Sequence, residues 1–234
     1  MNTDSSIARI VSIARTLGSL AGDVVFIGGA VAPLLHTEQI LPRPRPTKDV
    51  DGVIATHDYG DSDELHQTMR GLGFVHVVVQ RAHAHRWRSP EGILFDLVPA
   101  GTHLGGSGNE WDRLALQNAV TVNIEGTTFR HVSAAAFIAM KVEAFQDRGY
   151  HDMRSSHDIE DIIALIASRP SIAIDVASAP AEIIAKVSNF ASALIAAGVA
   201  DEVLAAHLNN VDDTEDVFQR VLERLIIIAA IIPA

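Results

Sequence analysis

The chain is short of three things: cysteine, aromatic residues and positive charge. Its 234 residues include no cysteine, only 5% Phe, Trp and Tyr, and 18 Lys and Arg against 29 Asp and Glu, which gives a net charge of −11. Without cysteine the chain can form no disulfide, no thiolate zinc site and no cysteine nucleophile. The scarcity of aromatic residues beside abundant Ala and Ile favours packed helices.

The negative charge balance bears on the choice of partner. A broad nucleic-acid-binding surface needs clustered Lys and Arg to contact phosphates. The charge of this chain argues against such a surface, although a local basic cleft stays open. The dense basic groups are Arg43, Arg45 and Lys48, and further along Arg81, Arg86 and Arg88.

Neither end of the sequence has the pattern of a secretory or membrane segment. The first residues lack a basic n-region followed by a long apolar stretch. The apolar run from Leu225 to Ile232 is shorter than the roughly 20 residues that span a bilayer. We therefore expect a cytoplasmic protein with no membrane partner, whose C-terminal helix is buried or forms a homo-oligomer contact.

Hydrophobic periodicity divides the chain into a mixed first part and a helical second part. The predicted strands are 24–27, 50–55, 74–80, 84–88, 92–98, 119–124 and 127–132, with hairpins joining the fourth to the fifth and the sixth to the seventh. The predicted helices are 7–20, 30–36, 62–72 with Ser62 as N-cap, 111–118, 134–146, 157–167, 181–197, 201–209 and 214–232. The pattern predicts an α+β fold with an α/β core over 1–132 and a helical domain over 133–234.

Two carboxylates, Asp49 and Asp51, stand at the start of an apolar strand. Side chains alternate along a strand, so both point to one side and Val50 to the other. Like charges held side by side repel, and a divalent cation such as Mg²⁺ would stabilise them. The alternative is an Asp-rich turn at the start of a strand.

Asp96 is a third acid, set among apolar neighbours in a later strand. A carboxylate in such a strand needs a partner or a metal. It can converge with the Asp49 and Asp51 pair on one metal site. The alternative is an ion pair with Arg86 or Arg88 across the hairpin.

Two further patterns point to phosphate binding. Gly28 and Gly29 follow a strand and precede a helix, where backbone N–H groups can approach a phosphate; a plain turn is the alternative. On the helices of the second part, Lys141 and Arg148 are two helical turns apart, and a pair of acids, Asp158 and Asp161, is three residues apart. Solvated helix faces are the alternative for these four.

In this order and spacing the motifs resemble those of the nucleotidyltransferase superfamily, which has the polymerase-beta-like fold. That signature is a Gly-Gly or Gly-Ser pair after a hydrophobic residue, then two acids flanking a hydrophobic residue, then a later acid. Gly28-Gly29, Asp49-Val50-Asp51 and Asp96 match it. The helical residues Lys141, Arg148, Asp158 and Asp161 resemble a further signature of the AbiEii branch, the toxins of type IV toxin–antitoxin and phage-defence systems.

The resemblance covers about residues 24–166 and implies a nucleotidyltransferase-type mixed β-sheet with flanking helices, followed by a C-terminal helical bundle. It also implies in-line attack on the α-phosphate of an NTP with Mg²⁺ or Mn²⁺ as cofactor. Asp49 and Asp51 would hold two ions, and Asp96 would bind the ion nearer the acceptor and help to deprotonate it.

The same resemblance assigns nucleotide contacts to Gly28, Gly29, Thr47, Lys48, Lys141, Arg148, Asp158 and Asp161. The implied partners are an NTP, a cognate antitoxin and an RNA or protein acceptor. Two other functions stay open: a non-catalytic regulator that keeps the fold and binds nucleotide or protein, and an aminoglycoside-type enzyme that modifies a small molecule.

Overall fold

The computed structural model describes residues 5–38, 47–56, 59–77, 85–100, 109–148, 152–208 and 214–233, with the backbone alone for 59–62. The described residues divide into two compact units. The first contains those up to Pro33 and from 47 to Ser133; the second contains 34–38 and those from Ala134 onward. The stretch 34–38 therefore groups with the helical part, whereas the sequence-based division assigns it to the first domain.

In the first unit the described residues form one mixed sheet of seven strands. The strands are β1 (Val24–Ile27), β2 (Asp49–Ala55), β3 (Val75–His76), β4 (Arg86–Arg88), β5 (Leu94–Ala100), β6 (Val120–Ile124) and β7 (Thr127–His131). Their order is β3-β4-β5-β2-β1-β7-β6. The pairs β1–β7 and β2–β5 are parallel and the other neighbours antiparallel. Both predicted hairpins, β4–β5 and β6–β7, are confirmed, while residues 78–80 and Ala84 of the predicted strands lie outside the described residues.

Four helices accompany these strands in the sequence: α1 (Ser5–Leu17), α2 (Ala32–Leu35), α3 (Tyr59–Gly71) and α4 (Glu110–Gln117). The helix α1 was predicted to reach Leu20 but ends earlier, because Gly18 has a φ of +57° and a 3-10 turn follows. The prediction of Ser62 as an N-cap is wrong, since α3 already begins three residues before it. Serine tolerates a helix interior at a modest cost in propensity, so it does not by itself fix a helix start.

Aromatic side chains fill the core around the central strands. Phe26 of β1 is fully buried and lies 6.0 Å from Phe95 of β5 and 5.6 Å from Phe129 of β7, measured between ring centroids. The ring of Phe74 lies 6.1 Å from that of Phe95, again between centroids. These contacts join β1, β5 and β7, and Phe95 lies next to Asp96 on β5.

The second unit is built from helices. They are α5 (Ala134–Asp147), α6 (His157–Ser168), α7 (Ile172–Ala177), α8 (Ala181–Ala196), α9 (Ala200–His207) and α10 (Thr214–Ala229). The helix α7 was not predicted from the sequence, because its six residues are too few for a clear helical period. It also extended α10 to Ile232, three residues beyond its observed end, and placed the end of α9 at residue 209, which lies outside the described residues.

The architecture is α+β with a mixed sheet, as predicted from the sequence. Among the described residues no individual helix has the length and apolar composition to cross a membrane; by those two criteria alone α8 and α9 qualify as a pair, bent by 104° at their junction.

Candidate active site

Strand register brings three aspartates together on one face of the sheet. In the parallel pair β2–β5, Asp51 lies opposite Asp96 and Asp49 opposite Leu94. Val50, between the two β2 acids, is fully buried, so Asp49 and Asp51 both lie on the face away from it. Asp96 shares that face because residues paired across neighbouring strands point the same way.

The side chain of Arg86 on β4 lies against this cluster. Arg86 is opposite Asp96 in the antiparallel pair β4–β5. Its Nε donates to Asp96 Oδ1 at 2.7 Å and its Nη2 to Asp96 Oδ2 at 2.6 Å. The same Nη2 donates to Asp49 Oδ2 at 2.9 Å. One guanidinium therefore joins acids of two different strands.

These ion pairs are largely shielded from water. The side chains of Arg86, Asp96 and Asp49 are 14%, 15% and 33% exposed. The hydrogen bonds to Asp96 raise the pKa of Arg86, and the charges of Asp96, Asp49 and Asp51 add to this effect against the opposing effect of burial. Arg86 is therefore a permanent cation inside the acidic cluster.

The sequence allows Asp96 either to bind a metal or to pair with an arginine. In the described structure it pairs with Arg86. Arg88, the other candidate partner, is exposed. Within the described residues no group of three or more His, Asp or Glu side chains is arranged to hold a metal ion. From the sequence, Arg86 is a member of a dense basic group and a candidate partner of Asp96. Its contact with Asp49 was not predicted and follows from the register of three strands.

The glycine pair approaches the cluster closely. Gly28 has a φ of +71°, and a Cβ atom there would lie 2.2 Å from Asp51 Oδ2. A Cβ atom on Gly29 would lie 2.6 Å from Thr47 Cγ2. A side chain at either position would have to displace the Asp51 carboxylate or the Thr47 methyl group, so glycine lets the turn after β1 pack closely against both.

Thr47 and Lys48 precede β2 and differ in their surroundings. The Thr47 hydroxyl donates to the Asp49 carbonyl at 3.1 Å, and Arg9 of α1 donates to the Thr47 carbonyl. Lys48 is exposed. No motif surrounds Arg9 in the sequence, so its contact with Thr47 was not predicted. The neighbouring basic residues of the sequence analysis, Arg43 and Arg45, lie outside the described residues, as does Arg81.

Half-buried histidines pack on Trp87, the neighbour of Arg86 on β4. The rings of His66 and His76 lie 5.2 and 4.9 Å from the ring of Trp87, which is buried on β4. Burial lowers the pKa of His85, and His66 and His76 add to the effect while Asp96 opposes it. The cluster is an aromatic packing unit that supports the strand carrying Arg86.

The four residues of the helical signature lie together in the second unit. Lys141 Nζ of α5 donates to Asp158 Oδ1 at 3.2 Å and lies 2.5 Å from Asp161 Oδ2. Arg148 also pairs with Asp158, whose side chain is 4% exposed against 65% for Arg148. Two cations and two acids thus balance each other between α5 and α6. Their role in nucleotide binding stays a prediction.

No protein-family model matches the chain, and no curated protein sequence matches it. Several solved structures are similar to it. An antigenic nucleotidyltransferase-like protein from Paracoccidioides brasiliensis has 25% identity and a TM-score of 0.48, over 70% of this chain and 76% of that one. JHP933 from Helicobacter pylori has 12% identity and a TM-score of 0.49, over 97% and 93%.

The antibiotic-resistance factor ANT(2'')-Ia has 15% identity and a TM-score of 0.44, over 69% of this chain and 84% of that one. The structural neighbours of the chain thus include nucleotidyltransferase-like proteins. All three TM-scores lie below 0.5, so we base the functional proposal on the contacts within this chain.

Proposed function

We propose that this protein is a metal-dependent nucleotidyltransferase, which moves a nucleoside monophosphate from an NTP to an acceptor and releases pyrophosphate. The observation that carries the proposal is the placement of Asp49, Asp51 and Asp96 on one face of β2 and β5. The glycine turn packed against Asp51 adds to it. All the donor atoms of this cluster are carboxylate oxygens, the type that Mg²⁺ and Mn²⁺ prefer.

Each acid has a role in this proposal. Asp49, Asp51 and Asp96 would hold the metal, and Asp96 would also accept the proton of the acceptor hydroxyl. A bound metal supplies charge neutralisation on the phosphates and lowers the pKa of the acceptor hydroxyl. The oxygen chemistry of the three acids suits such an ion, but in the described structure they are not arranged to hold one, and Arg86 pairs with two of them.

We assign the contacts with the phosphates of the NTP to residues that surround the three acids. The turn at Gly28 and Gly29 brings backbone close to Asp51 without a side chain in the way. The Thr47 hydroxyl and the exposed Lys48 ammonium are the proposed contacts to the β- and γ-phosphates. Their chemistry suits phosphate, since a hydroxyl and an ammonium both donate hydrogen bonds.

A narrower form of the proposal is an AbiEii-like toxin with an RNA or protein acceptor and a cognate antitoxin. Its support is the sequence pattern of Lys141, Arg148, Asp158 and Asp161, which we propose as further nucleotide-binding residues. The pairing of Lys141 with both acids is compatible with a positioning role, because it holds the lysine in one place on α5.

The test is transfer of label from each α-labelled NTP, with Mg²⁺ or Mn²⁺, to the components of a cell extract. We expect label in an RNA or protein fraction with release of pyrophosphate. Asp51→Asn should lower the rate at least about 100-fold, since changes even to outer-shell partners of metal ligands cost up to that much. Asp63→Asn makes the same chemical change at an exposed position on α3 and should leave the rate unchanged.

Two outcomes contradict the proposal: no transfer from any of the four NTPs, or full transfer by Asp51→Asn. A small-molecule acceptor would appear as label in the low-molecular-weight fraction, which decides between a macromolecular and an aminoglycoside-type acceptor.

The contacts of Arg86 favour one second candidate, a non-catalytic regulator that keeps the fold. An arginine that already neutralises Asp49 and Asp96 leaves less need for a metal. This candidate predicts nucleotide or protein binding that does not depend on divalent metal, with no pyrophosphate release. Nucleotide binding that survives EDTA, without any transfer, would favour it over the enzyme.

A further inference from the structure

The Arg86 guanidinium uses the oxygens that a metal ion would need. It hydrogen bonds both carboxylate oxygens of Asp96 and Oδ2 of Asp49, at 2.6 to 2.9 Å. A divalent ion bound between these acids would need lone pairs on the same oxygens. It would also lie next to the positive guanidinium, and two neighbouring cations repel each other.

We propose that Arg86 is the resident counter-ion of this cluster, and that a divalent metal binds Asp49 and Asp96 only when Arg86 releases them. The inference rests on the proposed function, because the metal is the one that nucleotidyl transfer requires. In this view Arg86, a residue outside the three acids, sets the affinity of the site for the metal.

The positive charge of Arg86 stabilises the three acids. Three carboxylates on one sheet face repel each other, and a cation among them offsets that repulsion. Arg86 supplies a fixed positive charge and a planar fork that matches a carboxylate in two hydrogen bonds. The cluster therefore contains its own cation when no metal is bound.

The Arg86 side chain can leave the acids without moving its strand. Its neighbour Trp87 is 2% exposed and packs on the opposite face of β4, which anchors the backbone. The arginine side chain has several rotatable bonds beyond Cβ, so the guanidinium can swing away while the register of β4 with β5 is kept. Exchange of Arg86 for a metal is thus a side-chain movement.

The experiment is a Mn²⁺ titration without nucleotide, with free Mn²⁺ followed by electron paramagnetic resonance. We expect Arg86→Gln to bind Mn²⁺ about tenfold or more tightly than the wild type, because a charge-assisted competitor is removed. Arg88→Gln is the matched control, since Arg88 lies two residues along the same strand and is exposed. It should bind as the wild type does, and Asp96→Asn added to Arg86→Gln should abolish the gain.

Equal Mn²⁺ affinity of the wild type and Arg86→Gln overturns the inference. An equal gain in Arg88→Gln overturns it as well, because net charge alone would then explain the effect.

A second measurement needs only the wild-type chain. In ¹⁵N NMR spectra the Nε–H signal of Arg86, identified by its loss in Arg86→Lys, should shift on addition of Mg²⁺ while that of Arg88 stays in place. An unchanged Arg86 signal at a Mg²⁺ concentration that saturates the site overturns the inference.

These readouts separate the inference from the proposed function. If label is transferred but Arg86→Gln does not change the Mn²⁺ affinity, the inference is wrong and the proposed enzymatic function stands. If Arg86→Gln binds Mn²⁺ more tightly but the wild type transfers no label, the proposed enzymatic function is wrong and the role of Arg86 as counter-ion stands.

Discussion

Gly28 and Asp51 are packed so closely that a Cβ atom on Gly28 would lie 2.2 Å from the Asp51 Oδ2 atom. Gly28 also has a φ of +71° and a ψ of −169°, a backbone region that is essentially restricted to glycine. The two constraints coincide at the turn that brings the backbone after β1 to the acid cluster.

Gly28→Ala should therefore both destabilise the protein and displace the Asp51 carboxylate. The backbone strain alone is expected to cost about 1–3 kcal/mol in the free energy of unfolding, and the clash adds to it. Urea denaturation measures this loss. Gly18→Ala is the control, because Gly18 also has a positive φ of +57° but no atom within 4 Å of the added Cβ. A loss no larger than that of Gly18→Ala would show that the contact with Asp51 is unimportant.

Removing the cation at the centre of the α5–α6 network should be costly. Lys141→Met leaves Asp158 and Asp161 without their shared lysine, and breaking a buried pair in this way costs about 3–5 kcal/mol. The Asp158 side chain is 4% exposed, so water cannot replace the lysine fully. Urea denaturation should show a loss toward the lower end of that range, because Lys141 is 15% exposed.

Arg148→Gln is the comparison for the same network. The Arg148 side chain is 65% exposed, so its pair with Asp158 should contribute less than about 1 kcal/mol. A loss in Arg148→Gln as large as that in Lys141→Met would contradict the idea that burial decides the strength of these pairs.

His36 should make the stability depend on pH. Burial lowers the pKa of His36 below its usual 6.5, and the charge of Asp161 opposes this. In acid the unfolded chain therefore takes up a proton at His36 before the folded chain does, which favours unfolding as the pH falls below 6.5. His36→Asn should lose less stability than the wild type between pH 7.5 and pH 5.5 in thermal melts. Parallel losses in the two proteins would contradict the prediction.

The sequence-based expectation of a homo-oligomer concerns the exposed face of α10. Ile226 and Ile227 are 52% and 55% exposed, whereas Ile228 is fully buried. If this face joins two copies, sedimentation velocity should show a dimer whose share rises with concentration. Ile226→Ser with Ile227→Ser should shift it to monomer with little change in melting temperature. A wild type that is monomeric throughout would rule out the contact.

Local structure was largely predictable from the sequence. The strands β1 and β7, the hairpins and most helices follow from periodicity and turn residues, which act over a few neighbouring positions. The errors lie where local signals are weak. Ser62 resembles an N-cap but lies inside α3, and α7 is too short to display a period.

The candidate site was predictable only in part. The alternation along β2 correctly places Asp49 and Asp51 on one side, because a strand has a fixed period of two. The sequence also named Arg86 as one of two alternatives to a metal for Asp96, since a short hairpin brings the two strands together. The contact between Arg86 and Asp49 joins strands that are not consecutive in the sequence, and no local pattern encodes it.

By itself the sequence determined which residues carry carboxylates, which glycines precede a helix and which faces of the strands are apolar. Only the tertiary structure decided that Asp51 lies beside Asp96, that Gly28 packs against Asp51, and that one guanidinium holds Asp49 and Asp96. The reason is physical: residue periodicity sets the direction of a side chain, whereas strand order and register set which distant side chains come within hydrogen-bond range.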